Sequence, residues 1–214
     1  RQEFSKGRIV PTKDIKAGKT YVSSGKPVSG CSVRIIDESG KDLEQGKVGE
    51  IVIKSVSMFD GYRNYPEKTA EVLKSGWYYS GDYGFMYEDH CYVVGRKKDI
   101  IIVAGNNLYP EDIEDTVSQV EGVIPGRVVA FGEEDPSLGS EQVSVVAETS
   151  LSDEKQLKDL RLRIIKAAMQ IDVSIRKVYL VPSRWLIKSS AGKPSRKANK
   201  ERIILKKEEN IWSL

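Results

Sequence analysis

Apolar and polar residues alternate in the first half of the chain, whereas in the second half the apolar residues fall at helical spacing. Alternation predicts strands over 33–37 and 48–54, with Gly40 and Gly46 punctuating the connection between them. A second pair is predicted over 83–87 and 91–95, joined by the polar turn Glu88-Asp89-His90. Strands at this spacing imply a small antiparallel sheet or barrel. Between the pairs, PEKTAEVL at 66–73 reads as a short helix, with Pro66 in its first turn and Gly76 just past its end. After Gly95 the texture changes. The run 100–103 is β-branched and buried by its composition, and Gly105-Asn106-Asn107 is a turn. A helix starts at Pro110, with Glu111 and Asp112 where the helix dipole favours negative charge. Its apolar residues Ile113, Val117 and Val120 share a face, and Gly122 ends it. Strands over 127–131 and 142–148 follow. A helix over 153–171 is capped by Asp153 and striped by Leu157, Leu160, Ile164, Ala168 and Ile171, and a strand over 177–181 completes the pattern. This order argues a compact α+β domain with its helices against one face of the sheet. The fold expected is α+β: a small antiparallel β-rich part over 1–97, then a compact α+β domain over 98–214.

A length of 214 residues allows one large domain or two small ones. The net charge of +3 is too small to mark the whole chain as a nucleic-acid binder, but the charge is uneven. Lys188, Lys193, Arg196, Lys197, Lys200, Arg202, Lys206 and Lys207 crowd the C-terminal end, as a phosphate-holding block or a solvated face. No apolar run approaches the roughly 20 residues that span a bilayer, and RQEFSKGRIVPTKD lacks the apolar core of a signal peptide. A cytoplasmic chain without a membrane span is expected. Cys31 and Cys91 are too few for a disulfide framework and lack zinc-site spacing, and the single histidine, His90, reads as an exposed turn residue. No metal site is expected, and mechanisms that need a histidine base are disfavoured.

Four stretches carry candidate chemistry. GEIVIKSVSMFDGY at 49–62 is a strand running into a loop. In GWYYSGDYG at 76–84, Asp82 is either a turn former or a carboxylate able to accept two hydrogen bonds from a ribose diol. In GRKKDIIIVAGNNLYPEDIE at 95–114, Arg96 offers a planar fork of donors, and Lys98 lies where the two halves meet. In SSAGKPSRK at 189–197, a Gly/Ser loop presents Lys193, either as a surface lysine or as a charge for oxygens at a phosphoryl centre. This last stretch lacks the second glycine and the spacing of a P-loop.

In this order the four stretches resemble the C-terminal part of the adenylate-forming enzymes, the superfamily of acyl-CoA synthetases, fatty acyl-AMP ligases, luciferases and peptide-synthetase adenylation domains. The resemblance runs from about Val22 onward, and the 95–114 stretch is most similar to the fatty acyl-AMP ligases. It implies a fragment made of the last β-rich subdomain of the large adenylating domain followed by the mobile C-terminal domain. By the same resemblance Asp82 would hold the ribose of ATP and of the acyl-adenylate, and Arg96 the same ribose or the phosphates. Lys98 would be the hinge, Gly105 would lie on the loop that turns inward for acyl transfer, and Lys193 would be the adenylation lysine. The implied reaction joins a fatty acid to AMP from ATP with Mg2+, and then passes the acyl group to a carrier-protein thiol or to CoA.

The phosphate-binding loop, the acyl pocket and most of the magnesium site lie upstream in that family, so the isolated chain is expected to be inactive. Asn106 stands where acyl-AMP ligases often carry arginine, and Pro194 follows the lysine where an apolar residue is usual. A reading of another class makes the chain a non-catalytic module that docks a carrier protein or, less favoured, nucleic acid, because aromatics are not interleaved with the basic tail before Trp212.

Overall fold

The computed structural model describes residues 7–12, 18–136 and 139–205. The chain divides into two compact units, Arg1–Lys98 and Asp99–Leu214, each with its own sheet. In the first unit, β1 (Cys31–Ile36), β2 (Gly49–Ser55), β3 (Leu73–Lys74), β4 (Trp77–Tyr87) and β5 (His90–Arg96) form a five-stranded antiparallel sheet. The long β4 is its spine: β2 pairs with one edge, and β3 and β5 pair in turn with the other. The predicted strand over 83–87 covers only the second half of β4. Gly81 reads as a breaker in the sequence, yet the aromatic β-formers Trp77, Tyr78 and Tyr79 carry the strand in from the other side. Ile35, Ile51, Val52, Phe85 and Val94 are buried, and Phe85 stacks on Tyr92 at 4.8 Å between ring centroids.

Two expectations in this unit change. Helix α1 (Pro66–Val72) begins at Pro66 as predicted, but Gly76 does not stop it. The chain leaves the helix as β3, and Ser75 and Gly76 turn it back into β4. His90 is half-buried at the start of β5, with its Nδ1 2.8 Å from the Ser23 hydroxyl, and is not an exposed turn residue.

The second unit opens with a hairpin of β6 (Ile101–Val103) and β7 (Asn106–Leu108), followed by α2 (Pro110–Ser118), β8 (Val128–Asp135), β9 (Ser140–Thr149), α3 (Glu154–Met169), β10 (Ile175–Pro182) and α4 (Arg196–Leu205). Its main sheet has the order β10-β9-β8. β8 and β9 pair antiparallel, whereas β9 and β10 are parallel and joined through α3, because parallel neighbours need a crossover. Asp153 caps α3 by accepting from the Gln156 N–H at 2.9 Å.

Period-two burial on both faces explains the continuous apolar runs of β8 and β9. Val128, Ala130, Val145 and Ala147 face a core completed by Ile113 and Val117 of α2 and Leu157, Leu160 and Ile164 of α3. Val129, Phe131 and Val146 face a second core with Tyr179, Leu186 and Ile203. Ile203 belongs to α4, so the helices flank both faces of the sheet and not one. The sequence hid α4 because its basic residues masked a thin apolar stripe. The run 100–103 is likewise not buried throughout: Ile101 is 1% exposed and its neighbour Ile102 52%, as a two-stranded hairpin requires. Ala104 and Gly105 make its turn, while Asn106 and Asn107 already belong to β7.

On this second unit, Glu133 accepts from Lys177 and from the Tyr179 hydroxyl. Burial works to raise its carboxyl, but the Lys177, Ser144 and Tyr179 contacts outweigh it and hold the group below the usual 4.5. A carboxyl with a depressed folded value contributes stability above 4.5 that is lost as pH falls through that lower value. Glu133→Gln is therefore expected to lower stability at neutral pH by no more than about 1 kcal/mol, since Lys177 is half-exposed. It should also flatten the acid limb of melting temperature against pH, measured by circular dichroism. An acid limb identical to that of the parent would refute it. Among the described residues no helix is long and apolar enough to cross a membrane.

Candidate active site

In the first unit the site is built on an irregularity of β4. Between the pairs Val52 with Tyr79 and Glu50 with Tyr83, β2 contributes one residue and β4 three, Ser80, Gly81 and Asp82. Gly81 takes a φ of 69°, which a side chain would resist, and the Ser80 hydroxyl closes the bulge by donating to the Ile51 carbonyl at 2.7 Å. Bulges of this kind re-aim side chains. Asp82 stands opposite Arg96 of β5, and its Oδ1 lies 2.8 Å from Arg96 Nε. Arg96 also donates to the Ser80 carbonyl at 3.3 Å. Burial pushes the Asp82 carboxyl up and Arg96 offsets that only in part, so the group stands above its ordinary value. A partly desolvated carboxylate with acceptor capacity to spare is suited to ligand hydroxyls.

Beside this pair, Glu50 of β2 accepts from Lys97 Nζ at 2.7 Å and from the Gly81 N–H at 3.3 Å. The Glu50 side chain is 11% exposed, so its carboxylate needs that partner. The hydrogen bond to Glu50 holds the Lys97 ammonium above its ordinary value. Lys98 follows in a single 3-10 turn, Lys97–Asp99, and is exposed, with no ion pair to any described residue.

In the second unit, Lys193 sits on a hairpin. Gly192 N–H donates to the Ser189 carbonyl at 2.9 Å, Ser189 N–H to the Lys193 carbonyl at 2.8 Å, and Ser195 N–H to the Ile187 carbonyl at 3.0 Å. These bonds leave Lys188 and Pro194 facing each other at a position that forms no ladder hydrogen bond. Pro194 therefore loses nothing by lacking an N–H, which removes the physical objection to it there. Asn199 of α4 is fully buried and ties the two arms together. Its amide exchanges hydrogen bonds with both backbone groups of Ile187 at 2.9 Å and donates to the Ser195 carbonyl at 2.8 Å. Lys193 itself is exposed and forms no ion pair with a described residue. Gly105, at a φ of 78° in the β6 to β7 turn, would meet nothing within 4 Å if it carried a Cβ.

A cluster that the local sequence does not display gathers around Arg196. This first residue of α4 grips Glu114 with both sides of its guanidinium, Nε to Oε1 at 2.8 Å and Nη2 to Oε2 at 2.6 Å. Its Nη1 reaches Glu111 and Asp99, each at 2.9 Å. Burial works against the cation, but Glu114, Glu111 and Asp99 hold it well above its ordinary value. The spacing of Glu111 and Glu114 was the available signal, since residues three apart share a helix face. Among the described residues no three of His, Cys, Asp and Glu group to hold a metal ion.

The model of the family described as AMP-binding enzyme matches residues 9–63. The chain is 32% identical over 189 residues to the medium/long-chain-fatty-acid–CoA ligase FadD8 of Mycobacterium tuberculosis, across 86% of this chain and 33% of that relative. The chain belongs to the adenylate-forming enzymes. Another relative in this superfamily is the fatty acid–[acyl-carrier-protein] ligase ScoC of Streptomyces coeruleorubidus, 35% identical over 127 residues, across 59% of this chain and 24% of that one. The adenylate-forming fold also appears in a solved structure among the fatty acyl-adenylate ligases of E. coli and L. pneumophila. That structure superposes with a TM-score of 0.79 at 28% identity, over 92% of this chain and 35% of that one. The chain thus spans a third or less of the length of the two curated relatives.

Proposed function

We propose that the chain serves an ATP-dependent enzyme that adenylates fatty acids, with Asp82 and Arg96 on the ribose side of the nucleotide and Lys193 on the reacting phosphoryl group. The observation that carries this reading is the Asp82 and Arg96 pair on the bulge of β4: a half-buried acceptor beside a fork of donors, in a chain of this superfamily. In the reaction a carboxylate oxygen of the fatty acid bonds to the α-phosphorus of ATP and the bond to the β-phosphate breaks, releasing pyrophosphate. A thiol sulfur then attacks the acyl carbon, AMP leaves, and the thiol proton passes to solvent. Neither step demands a histidine base; both demand placed charge and alignment. The domain boundary belongs to the same reading, with the mobile C-terminal domain starting at the Lys98 hinge. The free thiols Cys31 and Cys91 are in keeping with a cytoplasmic enzyme.

For the acceptor we favour a carrier-protein thiol, on the likeness of the 95–114 stretch to acyl-AMP ligases. CoA is the second reading, favoured by the name of FadD8. The test is fatty-acid-dependent pyrophosphate release by the whole protein and by the 214-residue chain alone, followed by transfer to CoA and to a pantetheinylated carrier protein. Release by the whole protein and none by the chain is expected. No release from the whole protein would remove the adenylation reading, and release from the chain alone would overturn its assigned incompleteness.

A further inference from the structure

The cation at the first turn of α4 is out of place by helix electrostatics. A helix N-terminus is positive and favours acids, yet α4 begins with Arg196 and Lys197 and carries no acid in its first turn. Something other than helix stability fixes an arginine there. Arg196 lies three residues after Lys193 and one after Ser195, whose N–H closes the base of the lysine hairpin. Its side chain is 19% exposed and joins the start of α4 to Glu111 and Glu114 of α2 and to Asp99, the first residue of the second unit.

We propose that Arg196 is the positioning residue for Lys193, fixing the lysine hairpin in register with the segment that begins at Asp99, so that hairpin and segment move as one body. The proposal rests on the reading of Lys193 as the adenylation lysine. Asn199 holds the arms of the hairpin to each other, Leu186 N–H ties the start of the first arm to the buried Glu148 of β9 at 2.7 Å, and Arg196 ties the end of the second arm to Glu111, Glu114 and Asp99. A lysine on a tethered hairpin keeps the placement that charge stabilisation needs; on an untethered one it sweeps a larger volume.

The test uses Arg196→Lys, which keeps the charge and loses the bidentate fork, and Arg196→Met, which keeps the stem. In the whole protein, adenylation kcat should fall about 10- to 100-fold with KM for fatty acid and ATP little changed, because misplacement costs orientation and not binding. The Lys substitution should be the milder. Transfer from supplied acyl-adenylate should be retained. In the ligand-free 214-residue chain, amide exchange should rise at Ser189, Gly192 and Ser195 and stay unchanged in β8 to β10. Unchanged hairpin exchange, or exchange raised equally through the sheet, would overturn the proposal, and so would equal loss of adenylation and transfer. Lys193→Ala in parallel separates the two readings. If it leaves adenylation intact, the lysine reading falls and takes the proposed role in adenylation with it. If it abolishes adenylation while both Arg196 variants leave the rate and the exchange untouched, the positioning role alone is overturned.

Discussion

Lys193→Ala lowers the rate of acyl-adenylate formation by about 10²- to 10³-fold and leaves acyl transfer from supplied adenylate largely intact: that is the result expected if the hairpin lysine stabilises charge developing at the phosphoryl centre. The magnitude is that of removing one placed donor from an oxyanion site. The selectivity for one half-reaction comes from role and not from fold. Lys193 is exposed and forms no ion pair with a described residue, and the hydrogen bonds of its hairpin are made by its carbonyl and its neighbours, none by its side chain. Truncating it therefore removes an ammonium without leaving a buried group unpaired, and the melting temperature should hardly move. Fatty-acid-dependent pyrophosphate release and single-turnover transfer are the two measurements. Unchanged pyrophosphate release would withdraw the assignment of Lys193.

How much of this was legible in the residues depended on whether the signal was local. The α2 start at Pro110, the Asp153 cap and the Leu157, Leu160 and Ile164 stripe are short-range patterns, and they stand as read. The Trp77 end of β4 was hidden because Gly81 looks like a breaker until β2 and β5 are seen to pair on either side of it. Helix α4 was hidden because Ile203 is buried against Val129, Phe131 and Val146 of β8 and β9, which lie far earlier in the chain. The site divides in the same way. Asp82, Arg96 and Lys193 sit in compact motifs and could be singled out one by one. The pairing of Asp82 with Arg96 follows from strand register, and the gathering of Asp99, Glu111 and Glu114 around Arg196 spans a separation of 97 residues that no window of sequence displays.

Lys98→Pro is expected to slow one half-reaction by at least about tenfold, which corresponds to 1.4 kcal/mol of barrier, while sparing the other and the stability of both units. The residues around it are why. Arg96 is held by Asp82 and the Ser80 carbonyl, Lys97 by the nearly buried Glu50, and Asp99 by Arg196. Lys98 alone in 96–99 forms no ion pair with a described residue, and it is the last residue of the first unit. Any reorientation between the two half-reactions would therefore concentrate its backbone rotation at this residue, because turning at 97 or 99 breaks a clamp. Proline fixes φ near −65° and restricts the preceding residue as well, so it would keep one orientation and penalise the other. Lys98→Ala is the control. It removes an exposed charge that forms no ion pair with a described residue, keeps the backbone free, and should leave both half-reactions within about twofold, since surface changes away from such features stay within roughly 0.5 kcal/mol. Pyrophosphate release, transfer from supplied acyl-adenylate and thermal melting of the proline variant decide the matter: equal slowing of both half-reactions, or of neither, would mean that the chain does not turn at Lys98.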